Sequence, residues 1–162
     1  MAKLQDIIQW CAQTLKSPEF KDYAPNGLQI EGKTEVRKIL AAVTASQDAI
    51  DAAIRENADL LLVHHGYFWK GEAYPITGMR GKRIKSLIQH DISLLAYHLP
   101  LDSHPSLGNN AAIADLLELE RIEALDPSER HPIGNIGYLN QPMPVEEFKK
   151  FVSEKLKRCP KI

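Results

Sequence analysis

Scarce cysteine, no long apolar run and no excess of either charge narrow the class of this 162-residue sequence before any motif is weighed. It holds two cysteines, Cys11 and Cys159, far apart and outside any CxxC or Cys/His spacing. Such a pair reads as free thiols in a reducing, cytoplasmic setting. No apolar run approaches the roughly 18 residues that a membrane span requires. The opening "MAKLQDIIQWCAQTLKS" carries polar and acidic residues in its first turns, unlike a signal peptide. The 20 basic and 21 acidic residues leave a formal net charge of -1. That balance builds no basic field for non-specific nucleic-acid binding, and the short basic stretch Met79–Lys85 reads as exposed helix charge. Walker, G-x-G-x-x-G and G-x-S-x-G motifs are absent, which removes the main support for NTPase, dinucleotide-binding and serine-hydrolase readings.

What is present is the composition of an ordinary globular protein, 44% hydrophobic and 25% charged. The length suffices for one well-buried domain with room for an appended subdomain. Leu4, Ile7, Ile8, Cys11 and Leu15 fall at helical spacing, and Ser17-Pro18 closes that helix. "EFKDYAPNGLQIEGK" reads as a loop into a short strand, with Pro25-Asn26-Gly27 as the turn. "RKILAAVTA" predicts a buried strand, and Ser46 an N-cap for the helix "QDAIDAAIREN". "DLLLVHH" and "ISLLAY" predict two more strands, "KRIKSLIQH" and "NNAAIADLLEL" two more helices. Apolar strands separated by helices predict an α/β fold, a mostly parallel sheet with helices on both faces.

Beyond Leu125 the pattern loosens into a turn-rich stretch, the weak strand "IGYL" and the helix "PMPVEEFKKFVSEKLK", with Pro144 near its start. We expect residues 1–125 to form an α/β metal-binding domain. Residues 126–162 are expected to be the start of a second or linking segment, truncated because no returning strand follows the last helix.

In parallel sheets, ligands bind outside the carboxyl ends of the strands. His64-His65 end the second predicted strand, while His98 and Asp102 follow the third, so neighbouring strands would bring them to one rim. Imidazole and carboxylate together suit zinc, manganese, iron or nickel. Adjacent residues at a strand end point to opposite sides, so each histidine can serve a different ion of a pair, with a carboxylate bridging them. The competing reading is a hydrogen-bonded structural pair. His104 and His131 precede prolines in turn sequences and read as surface positions, and His90 as a helix C-terminal dipole partner. Tyr67, Phe68 and Trp69 either wall a pocket or an oligomer contact, or fold back over the core. Asn109 or Asn110 starts a helix whose exposed N–H groups serve either an anionic group or simple capping.

The segments "DYAPNGLQIEG", "VTAS", "LLVHHGYFWKGE" and "YHLPLDSHPSLGNN", in this order over about residues 20 to 120, resemble the YbgI-like (Nif-three-like) dinuclear metal-centre family. Many of its members carry the name GTP cyclohydrolase 1 type 2 homologue. The resemblance implies a duplicated two-domain α/β fold, of which this chain is the N-terminal half, a toroidal homohexamer and two divalent metal ions. It assigns metal ligation to His64, His65 and Asp102, with His98 a ligand or a partner of one. The family's later His and Glu ligands have no matching position here, since Glu129 and His131 in "SERHP" do not fit that motif. The expected function is a metal-dependent hydrolase of a small, nucleotide-like substrate. The alternatives are a non-catalytic metal-binding or protein-interaction module, and a half-site inert on its own.

Overall fold

The structure is a computed structural model that describes residues 1–161. Its elements are, in chain order, β1 (Ala2–Lys3), α1 (Leu4–Leu15), β2 (Gly27–Ile30), β3 (Glu35–Val36), β4 (Ile39–Thr44), α2 (Gln47–Arg55), β5 (Leu60–His65), α3 (Gly78–Gln89) and β6 (Ser93–Ala96). They continue with the short α4 (Leu99–Asp102), α5 (Asn109–Leu116), β7 (Leu119–Ala124), β8 (Asn135–Leu139) and α6 (Val145–Leu156). Contacts divide the chain into two compact units, Met1–Leu101 and the part that begins at Asp102. No helix among the described residues is long and apolar enough to cross a membrane.

The first unit is built on a four-stranded sheet in the order β2-β6-β5-β4. β4 pairs with β5 and β5 with β6 in parallel, as the apolar strand runs predict. β2 joins β6 antiparallel, which makes the sheet mixed. Period-two alternation sends successive side chains of β5 and β6 to opposite faces. Leu60 and Leu95 pack with Leu4, Cys11 and Val36 on the α1 side. Leu61, Val63 and Leu94 pack with Ile50 and Ala53 of α2 and Ile84 and Leu87 of α3 on the other. Both faces are therefore covered by helices. Leu60, Leu61, Leu94 and Leu95 are fully excluded from solvent, and each such side chain contributes about 1.5–3 kcal/mol.

Local signals set several boundaries. Lys16 adopts a left-handed conformation at φ 52° after α1, and Ser17–Glu19 form a 3-10 turn with Pro18 near its start. Ser46 caps α2 by accepting a hydrogen bond from Ala49 N–H at 3.2 Å. Two sequence expectations change. β4 is not buried: among the described residues it is an edge strand paired with β5 alone, and Val43 is 69% exposed. The expected mostly parallel sheet is found as a mixed one, with β4–β5 and β5–β6 parallel and β2–β6 antiparallel. The helix "NNAAIADLLEL" stops at Leu116, since Glu118 takes a left-handed φ of 53° and the chain leaves as β7.

In the second unit β7 and β8 form an antiparallel pair with a register shift between Glu120 and Glu123. Arg121 lies 4.4 Å over the Tyr138 ring, a cation–π contact. Ala111 and Ala114 of α5 are buried, whereas α6 buries no residue and is tied by an ion pair between Lys155 and Glu118.

Candidate metal centre

The register of the parallel strands sets His64 and His65 at the carboxyl end of β5, one step beyond the Val63–Ala96 pair. His98 follows β6 on the same rim, two residues past Ala96. On an ideal strand the side chains of His64 and His65 would diverge. Here their ring centroids are 4.3 Å apart, and those of His64 and His98 are 5.1 Å apart. One potential ligand nitrogen from each of His64, His65 and His98 lies within 4.8 Å of the other two, so this cluster can hold a metal ion. The two adjacent rings thus lie side by side at one rim, close enough to serve one ion or one each of a closely spaced pair.

His64 Nδ1 lies 2.9 Å from the carbonyl oxygen of Tyr97. A carbonyl only accepts, so Nδ1 carries the proton and the neutral ring keeps its lone pair on Nε2. His65 Nδ1 lies 3.3 Å from the hydroxyl of Thr44, its register partner on β4. His98 Nδ1 lies 2.8 Å from Asp22 Oδ1, and the His98 N–H donates to Asn26 Oδ1 at 2.8 Å. Asp22 also accepts from Tyr23 N–H at 2.6 Å, Asn26 Nδ2 at 2.9 Å and Leu99 N–H at 2.9 Å. Its side chain is 3% exposed. Burial alone would raise this carboxyl's pKa. The hydrogen bonds from His98, Asn26, Leu99 and Tyr23 outweigh burial and hold it below the usual carboxylate range.

The loop after the histidines divides between the core and the imidazoles. Tyr67 folds back: it is buried, its hydroxyl donates to the Ala45 carbonyl at 2.7 Å, and burial pushes its pKa up to about 12. Phe68 packs against the same core. Trp69 stands beside the imidazoles, edge-on to His98 at 4.9 Å and 5.9 Å from His65, with its indole N–H donating to the Gly66 carbonyl at 3.2 Å. Gly66 is required by close approach: a Cβ there would sit 2.2 Å from Gln29 Oε1 and 2.7 Å from Ala96 Cβ. Gln29 in turn accepts from Tyr67 N–H at 2.7 Å and donates to the Pro25 carbonyl at 2.9 Å. Gln29 therefore joins the loop that carries Trp69 to the loop that carries Asp22. Sequence reasoning assigns no role to Asp22, Asn26 or Gln29: it marks a turn at Pro25-Asn26-Gly27 and a segment shared with the family, and neither singles out these side chains.

Asp102 ends α4 and belongs to the second unit, where its carboxylate accepts from Asn109 Nδ2 at 2.8 Å. α5 starts at Asn109, one of the two expected positions, with Gly108 as its N-cap. His90 closes α3, with Nδ1 2.9 Å from the Ser86 carbonyl, and His104 Nδ1 accepts from Ser106 and Leu107 N–H groups. Chemically, three imidazoles form a nitrogen donor set suited to zinc and neighbouring first-row divalent ions.

Comparison with known proteins agrees with the residue pattern. The sequence profile of Duf34/NIF3 (NGG1p interacting factor 3) matches residues 2–162. A Haemophilus influenzae protein named GTP cyclohydrolase 1 type 2 homolog is 51% identical over 158 residues, covering 97% of this chain and 62% of its own length. Among solved structures, the structural-genomics protein ybgI, of unknown function, superposes with a TM-score of 0.91 at 45% identity, over 98% of this chain and 62% of its own. A Thermus thermophilus protein superposes with a TM-score of 0.85 at 34% identity, over 98% and 63%. The chain thus spans less than two thirds of the length of these relatives. With the match running from residue 2 to the last residue, the chain belongs to the Duf34/NIF3 family.

Proposed function

We propose that this chain supplies the imidazole side of a divalent metal centre in a metal-dependent hydrolase acting on a small, nucleotide-like substrate. The observation that carries the reading is the convergence of His64, His65 and His98 within 4.8 Å, with the Nδ1 atoms of His64 and His98 committed to acceptors. Those two rings then present Nε2 as the ligand nitrogen. A bound divalent ion supplies Lewis acidity and lowers the pKa of water, the usual means of hydrolysis near neutral pH. The protein's part is to orient the rings through the Tyr97 carbonyl and the Asp22 carboxylate, and to flank them with the Trp69 indole. Ligation of a second ion with Asp102, a homohexameric assembly and a cytoplasmic setting belong to the same proposal, resting on the family resemblance. The name GTP cyclohydrolase 1 type 2 homolog, carried by relatives, directs the substrate class toward purine nucleotides.

The family's description as an interacting factor favours a second reading, a metal-binding protein-interaction module without turnover. One assay separates the two. Metal-loaded protein is incubated with a nucleotide panel that includes GTP and damaged nucleotides. Hydrolysis predicts consumption of a panel member that ceases on chelation and in His65→Ala. Consumption that survives complete loss of metal overturns the hydrolase reading, and retained metal with no consumption favours the module.

A further inference from the structure

The Asp22 carboxylate does more than close a loop. Its two oxygens take four donors: the His98 ring, the Asn26 amide and the backbone N–H groups of Tyr23 and Leu99. The Leu99 N–H bond to Asp22 and the His98 backbone N–H bond to Asn26 already tie residues 22–26 to residues 98–99. The ring bond adds something different, because a carboxylate only accepts and so decides which imidazole nitrogen carries the proton. From this geometry we infer that Asp22, braced by Asn26, is a positioning residue that locks His98 in its Nδ1–H form and so aims the Nε2 lone pair at the His64–His65 pair. The inference rests on the metal-centre reading above for its purpose, though the tautomer itself is set with or without metal. It also gives a role to Asp22 and Asn26 of "DYAPNG".

The test has a metal-free arm and a metal arm. Site-assigned nitrogen-15 spectra of the imidazoles, taken without metal and well above the imidazole titration range, report the tautomer directly. His98 is expected as the Nδ1–H form in the wild type. A wild-type His98 in the Nε2–H form overturns the inference without any variant. Asp22→Asn keeps the side chain's size but leaves one oxygen for two donor pairs, and is expected to populate the Nε2–H form. In the metal arm, zinc titration should show Asp22→Asn weakened about tenfold to a hundredfold, the usual effect of removing an orienting carboxylate. Wild-type zinc affinity in Asp22→Asn, with His64→Ala impaired, overturns the positioning role alone. Zinc binding absent from the wild type overturns the metal-centre reading, while the tautomer spectra still decide the lock.

Discussion

The ring of His64 and the carbonyl of Tyr97 meet at 2.9 Å across neighbouring parallel strands, joining the end of β5 to the residue after β6. This bond leaves the neutral ring with its lone pair on Nε2. His64→Ala should therefore weaken zinc binding by at least about tenfold, the scale of losses already known for orienting groups around a metal. His90→Ala, at the end of α3 and outside the cluster, should leave it unchanged. Calorimetric zinc titration checks both, and equal losses would remove the cluster as the binding site.

Trp69 should report on occupancy of the imidazoles, since its ring lies 4.9 Å from His98 and 5.9 Å from His65. Trp10, on α1 and 62% exposed, is the other indole in the sequence. In a Trp10→Phe background, added cobalt or nickel should quench the remaining emission, and a chelator should restore it. Quenching that persists after His64→Ala would place the ion elsewhere.

Gly66→Ala should destabilise the first unit by about 1–3 kcal/mol, the ordinary cost of overpacking. The new methyl would meet the Cβ of Ala96, which cannot turn away, and the oxygen of Gln29. Urea unfolding measures the loss, and a wild-type midpoint would mean that the β5–β6 rim yields freely.

Ser46→Ala removes the acceptor for Ala49 N–H at the start of α2. The expected loss is about 1 kcal/mol, read from the same unfolding curves, with the metal affinity untouched. A change in affinity instead would tie this cap to the site.

Asp59 makes stability fall in acid. Lys33 Nζ at 2.9 Å holds its carboxyl below the usual range, helped by the Arg37 N–H and, against the effect of burial, by the Lys38 N–H. A depressed folded pKa stabilises the protein above the unfolded value of about 3.9, and that gain is lost as pH falls through the folded value. Asp59→Asn should lower the urea midpoint at neutral pH and flatten its decline below about pH 4. A decline as steep as in the wild type would assign the acid sensitivity to other carboxylates.

Much of the first unit is legible in one dimension. Strands β5 and β6 are short apolar runs, and α1 and α2 carry one-sided apolar stripes, so periodicity alone finds them. β4 shows the limit of that signal: "ILAAVT" is as apolar as a buried strand, yet edge position leaves Val43 exposed. β7 shows another, since "LERIEA" continues a helical composition and only the left-handed turn at Glu118 releases it as a strand. Asp22 is the clearest case. An aspartate in a polar loop carries no local mark of burial, and its partner His98 lies 76 residues away.

Two histidines ending an apolar strand, and a third following the next one, can be read directly along the chain, because strand length and hydrophobic pattern are local properties. The family's motifs stand there in order as well. Convergence of the three rings is a different matter, as are the choice of tautomer by Tyr97 and Asp22 and the contrast between Trp69 at the site and Tyr67 in the core. Those outcomes arise in three dimensions: they depend on hydrogen-bond acceptors brought in by strand register and by a distant loop, and no spacing along the chain encodes them.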